Sequence, residues 1–160
     1  MNEYRITKYN PSFRDFAGAY TRNEWISVAD IGRSFAGVTL TREEYERVEG
    51  AYVETAMAFL REAGVSALRV AGLENHRGHL LNFREGSLLP LEQIGDVLRR
   101  VLREEFWCRL KGVGGFVHVG WDFYMYVGVL CPCLAARVRA TELGLYVEEF
   151  SSPYNEQSGS

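Results

Sequence analysis

Between Arg42 and Ala63 the residues Tyr45, Val48, Tyr52, Ala56, Phe59 and Ala63 recur at spacings of three and four. That spacing places them along one side of an α-helix, and a side so apolar has to be buried. Both ends carry boundary signals. Thr41 followed by Glu44 fits a capping box, in which the hydroxyl takes an orphan backbone N–H and the carboxylate reaches back, and Gly64 suits a left-handed stop. Gly50 in the middle costs about 1 kcal/mol relative to alanine, which points to close packing or a bend there. A long helix with one apolar side needs a facing layer, and the rest of the chain has to supply it.

The facing layer reads as sheet. Tyr4 to Tyr9 alternates like a strand and stops at Asn10-Pro11. Ser12 to Asn23 has no period and reads as loop. Trp25 to Val28 reads as a short strand, with Asp30 capping a helical turn through Phe35. Val65 to Leu73 is a strand that leaves the long helix directly, and 74–87 is a polar connection. Pro90 opens a second helix running to about Phe106, with Leu91, Ile94, Leu98, Val101 and Leu102 on its apolar side and Arg99, Arg100 and Arg103 forming a positive ridge on the other. Trp107 to Lys111, a hairpin loop at Gly112–Gly115 and the Val- and aromatic-rich run from Phe116 to Leu130 are sheet. A third helix spans Cys133 to Leu143, and Leu145 to Phe150 is the last strand. The order predicts an α+β fold, a two-layer sandwich of a mixed or antiparallel sheet with three main helices on one face. Residues 1–154 read as a single domain and 155–160 as a flexible polar tail.

Charge and composition exclude several classes. The formal net charge is −3, so no overall positive field exists to hold phosphate backbones, and nucleic acid is not an expected partner. No apolar run approaches the roughly 20 residues of a membrane span, and the N-terminus lacks the pattern of a signal peptide, so no membrane is expected and the predicted location is cytoplasmic. The three cysteines, Cys108, Cys131 and Cys133, are then expected as reduced thiols. Cys131-Pro-Cys133 does not match the paired Cys-x-x-Cys spacing of structural zinc sites or of redox motifs. His76 and His79 fall in a loop with nothing to align them. No metal and no cofactor are expected, and no phosphate loop or nucleophile elbow occurs.

The segment Phe116-Val-His-Val-Gly-Trp-Asp-Phe-Tyr-Met-Tyr-Val127 is the richest candidate for a site, and its geometry turns on Gly120. If the strand runs straight, His118, Asp122, Tyr124 and Tyr126 share one face, opposite Val119, Trp121, Phe123, Met125 and Val127. If Gly120-Trp121 is a two-residue turn, Val119 faces Asp122 and His118 moves to the apolar side with Phe123 and Met125. In either case Asp122, Tyr124 and Tyr126 stay together as the predicted binding face, joined by His118 in the first geometry and supplemented by Trp25 and the arginine ridge. An imidazole, a carboxylate and two phenols could hold a small polar ligand or move protons. A wet sheet face carrying tyrosines is the simpler account.

The stretches Tyr4-Arg-Ile-Thr-Lys-Tyr-Asn-Pro, Asn23-Glu-Trp-Ile-Ser-Val-Ala-Asp-Ile-Gly32 and the 116–127 segment resemble a group of small bacterial hypothetical proteins, a likeness that spans most of the chain and implies no activity. In size, acidity and aromatic-rich strands the chain is also similar to immunity proteins of bacterial toxin systems, which implies a protein partner. With nine Tyr and three Trp, residue types favoured at interfaces, the first expectation is a non-enzymatic protein-binding domain of the kind that neutralises a toxin. The second is a small-molecule-binding domain or enzyme whose pocket uses His118, Asp122, Tyr124 and Tyr126.

Overall fold

The computed structural model describes residues 1–155. In chain order its strands are β1 (Asn2–Thr7), β2 (Ser34–Phe35), β3 (Val38–Thr39), β4 (Ala67–Glu74), β5 (Leu88–Pro90), β6 (Trp107–Lys111), β7 (Gly115–Val119), β8 (Met125–Val129) and β9 (Tyr146–Glu149). The helices are α1 (Arg42–Glu62), α2 (Leu91–Leu102) and α3 (Leu134–Glu142). Seven strands form an antiparallel sheet in the order β5-β4-β6-β7-β8-β1-β9, and β2 and β3 pair as a separate small hairpin. The fold is α+β. The first strand is inserted between β8 and β9, so the first and last strands of the sheet are neighbours.

Alternation along the strands sorts the sheet into two faces. Tyr4 and Ile6, Leu68 and Val70, Cys108 and Leu110, Val117 and Val119, and Met125, Val127 and Val129 join Tyr45, Tyr52, Phe59, Leu60, Ile94 and Leu98 in one buried core. The central strands β7 and β8 are buried at every position. Both of their faces are covered, which is why the 116–130 run reads as almost continuously apolar rather than alternating.

Between α1 and α2 the core contains a charge. Glu49 is fully buried and accepts from Arg99 Nη1 at 2.7 Å, from Arg103 Nε at 2.8 Å and Nη2 at 3.0 Å, and from Tyr45 Oη at 2.7 Å. Burial alone would raise its pKa. The bonds from Arg103, Tyr45 and Arg99 outweigh that and hold the carboxyl below its ordinary value. The predicted positive ridge is therefore a clamp on a buried carboxylate, and its third member, Arg100, bonds Glu105 at 3.2 Å.

Several local expectations are corrected. Thr41 Oγ1 does accept from the Glu44 amide at 3.1 Å, but the Glu44 carboxylate turns to Arg47 at 2.6 and 2.9 Å, so only half of the box forms there. A capping box closes instead at residues 27–30, where the Asp30 carboxylate takes the amides of Ile26 and Ser27 and Ser27 Oγ takes that of Ala29. This makes 28–30 a short 3-10 turn rather than the end of a strand, and residues 34–35 belong to the small hairpin. Helix α2 stops at Leu102 because Glu104 adopts φ 61°, a left-handed stop made by a residue that gives no sign of it in the sequence. Nothing lies within 4 Å of where a Gly50 side chain would begin, so packing does not explain that glycine. Of the predicted polar tail, 155–160, Asn155 is described and bonds Glu3 at 2.8 Å, and residues 156–160 lie outside the described residues.

Glu49→Gln keeps the shape and removes the charge, leaving Arg99 and Arg103 facing each other without a counter-ion. Breaking a buried pair typically costs about 3–5 kcal/mol, and the partial exposure of both arginines puts the expected loss near or below the lower end. Urea unfolding at pH 7 should show this loss in the midpoint. An unchanged midpoint would mean that the clamp adds nothing to stability.

Candidate functional site

The question at Gly120 is settled by a three-residue loop. Val119 pairs with Met125 and His118 with Tyr126, so Trp121, Asp122 and Phe123 form the connection, closed by Gly120 N to Tyr124 O at 2.7 Å. A loop with an odd number of residues returns the chain with the same parity. His118 therefore keeps company with Tyr124 and Tyr126, as in a straight strand, although the chain turns. The two-residue register, which would have moved His118 to the apolar side, does not form.

The loop is strained and held from beneath. Asp122 (φ 61°, ψ 31°) and Phe123 (φ 66°) both adopt the left-handed region, which is unfavourable for a bulky side chain. Phe123 is buried among three aromatic rings: Tyr52 at 4.8 Å, Trp25 at 5.1 Å and Tyr45 at 5.9 Å between centroids, all edge-on. Tyr9 Oη donates to the Asp122 carbonyl at 2.6 Å. With its neighbours pinned, Trp121 is left 80% exposed, and Asp122 is exposed beside it. Trp25, predicted as a surface contact, is 9% exposed and serves as a wall of the Phe123 socket.

The face that carries His118 and Tyr126 is covered by the chain's own C-terminal segment. Phe116, across from Gly128, lies so close that a side chain at Gly128 would meet its ring at 2.2 Å, and Phe116 stacks on His118 at 4.3 Å. Residues 150–154 cross over these groups. Phe150 sits above the Arg5 guanidinium at 4.0 Å, the Ser152 hydroxyl lies 2.7 Å from His118 Nδ1, and Tyr154 packs beside His118, Tyr126 and Trp107. Tyr154 also presses on Gly120, where an added Cβ would meet its hydroxyl at 2.7 Å. Glu3 fastens the segment by accepting from Ser152 N and Asn155 Nδ2. A serine beside a histidine can be a nucleophile and its base, but here both are buried and Ser152 Oγ accepts the Tyr154 amide, so the pair holds a turn.

The predicted residues therefore do not form one surface. His118 and Tyr126 lie under the C-terminal segment. Tyr124 is half-buried, accepts from Arg14 Nη1 at 2.8 Å and stacks on Tyr9. Asp122 alone is freely exposed. What the sequence did not reveal is a cleft of about 510 Å³ beside Trp121, walled by Trp107, Tyr154 and Phe106 and rimmed by Glu74, Glu104, Glu105, His76 and Arg77. It joins residues far apart in the chain, and only the sheet order brings them together. Among the described residues no cluster of His, Cys, Asp and Glu is arranged to hold a metal ion, and no helix is long and apolar enough to cross a membrane.

The imidazole of His118 is buried beneath Ser152 and Tyr154. Burial, reinforced by the positive charges of Arg109 and Lys111, brings its pKa down to about 4 from 6.5. Between these values the unfolded chain binds a proton that the folded chain refuses. Stability from this group is thus complete above about pH 6.5 and is lost as pH falls towards 4, by a total of about 3 kcal/mol. Denaturation of the parent and of His118→Gln at pH 7, 6 and 5 separates this from the carboxylates, which both chains share. The parent should lose stability more steeply over that range, and equal slopes would remove His118 as the cause.

Comparison with family models, with curated proteins and with solved structures gives no match, so what the site does has to be read from its own geometry.

Proposed function

We propose that the chain is a non-enzymatic protein-binding domain, and that it works as an inhibitor that neutralises a bacterial toxin by covering it. One observation carries the reading: Trp121 stands 80% exposed on a loop whose neighbours are fixed. An exposed indole on a floppy loop would lose entropy on binding. Here Phe123 in its aromatic socket and the Tyr9 bond to the Asp122 carbonyl have already ordered the backbone, which is the condition under which a tryptophan becomes a binding hot spot. Asp122 next to it adds a charge suited to orienting a partner.

The small-molecule reading moves with the geometry. His118 and Tyr126 pack against residues 150–154, whereas Asp122 is exposed and Tyr124 packs on Tyr9, so the four side chains do not line one open pocket. The cleft beside Trp121, at about 510 Å³, falls within the range of ligand sites and is where such a ligand would sit.

A photo-reactive amino acid placed at position 121, with the exposed Leu134 as a control position, identifies the partner. Affinity of the purified partner for Trp121→Ala then tests the site. The variant should bind at least about 10-fold more weakly with an unchanged melting temperature, and co-expression of the parent, not of the variant, should suppress the partner's toxicity. A variant that binds as tightly as the parent would rule out the loop as the contact. A partner with no toxicity would leave binding intact and remove the inhibitor reading.

A further inference from the structure

Cys131-Pro-Cys133 links β8 to α3, and its two sulfurs lie 3.0 Å apart. Residues two apart in the chain are at most about 7 Å from Cα to Cα, so the spacing is compatible with the roughly 4.4–6.8 Å of disulfides. What remains is orientation, and the backbone of Cys133 provides it. Cys133 adopts φ 53°, ψ 56°, the left-handed region that residues with side chains avoid.

Its place in the helix does not explain this conformation. Cys133 is the N-cap of α3, a position that ordinarily takes extended geometry and an oxygen-bearing side chain, yet it makes no side-chain cap bond. The capping is done from another helix: the Glu62 carboxylate, at the end of α1, accepts from Ala135 N at 2.8 Å and Ala136 N at 3.4 Å. Freed of that role, Cys133 is turned towards Cys131. Backbone strain that persists where no structural duty requires it is a mark of a functional position.

We propose that Cys131 and Cys133 form a reversible dithiol–disulfide site that reacts with low-molecular-weight disulfides. The two cysteines differ in access. Cys131 is part-exposed, whereas Cys133 is 2% exposed, and burial, with the neighbouring Cys131, pushes the Cys133 thiol up to about 12. Cys131 is therefore the attacking group. Its thiolate displaces one half of the small disulfide, forming a mixed disulfide and releasing a small thiol. Cys133 then gives up its proton and attacks the Cys131 sulfur, and the second small thiolate leaves and takes up a proton. The protein thiols lose two electrons and two protons, and one small disulfide becomes two thiols. Reduced, the sulfurs face carbonyls at the end of α1, Cys133 that of Phe59 at 3.6 Å and Cys131 that of Glu62 at 4.0 Å. Oxidation removes both S–H donors from that junction.

The test incubates the folded chain with oxidised glutathione, blocks remaining thiols with an alkylating agent, and maps the peptides by mass. The expected product is a peptide in which Cys131 and Cys133 carry neither label nor glutathione and which is lighter by two hydrogens. Cys108, buried in the core, should be alkylated after unfolding, and dithiothreitol should restore both labels on the pair. Cys133→Ser should stop at the glutathione adduct on Cys131, and Cys131→Ser should yield no adduct. Alkylation of both thiols after exposure, a lasting glutathione adduct on Cys131 of the parent, or a bridge from Cys108 to either of them would each overturn the proposal.

Discussion

The burial of Phe123 is the constraint on which the candidate site depends. Two successive left-handed residues cost on the order of 1–2 kcal/mol each, and a loop free to choose would avoid them. Removing a phenylalanine from a packed core costs about 3–5 kcal/mol, and Phe123 sits among Trp25, from the loop ahead of the small hairpin, and Tyr45 and Tyr52 of α1. The socket outweighs the strain. It fixes the connection at three residues, the number of residues fixes parity, and parity decides which side of the sheet every residue of β7 and β8 occupies.

From that parity follows the division of labour on the molecule. The odd positions of β7 and β8 build the core against the helices. The even ones, Phe116, His118 and Tyr126, would be a wet aromatic face if nothing covered them, and residues 150–154 do. These aromatic groups thereby dock residues 150–154 and do not line an open ligand pocket. What stays available is displaced to the rim of the sheet, where the loop pushes Trp121 outwards beside the cleft.

Much of this was legible in the sequence, and the misses have physical causes. The period of α1 and the glycines after α1 and α3 are local signals, and the elements lie within a few residues of where they read. The end of α2 was not legible, because Glu104 takes a conformation usually given to glycine. Asp30 read as the cap that opens a turn running to Phe35, but the N-cap is Ser27 and Asp30 ends the 28–30 turn, its carboxylate bonding back to the cap. Arg99 and Arg103 read as part of a positive ridge because their partner, Glu49, lies some fifty residues earlier on another helix. For the site, the segment was found and its use was not: the three-residue loop depends on Phe123 finding its socket, and the covering of His118 depends on residues 150–154 crossing the sheet. Both are contacts across the whole chain, to which a reading of local pattern has no access.

The most direct measurement of this account is the strand register on either side of the loop, from nuclear Overhauser effects in the isotope-labelled chain. Cross-strand contacts between residues 119 and 125 and between residues 118 and 126, together with contacts from the Phe123 ring to Trp25 and Tyr52, are the predicted result. Contacts between residues 119 and 122, or a Phe123 ring without aromatic neighbours, would contradict it, since Trp121 would then have no fixed frame to stand on.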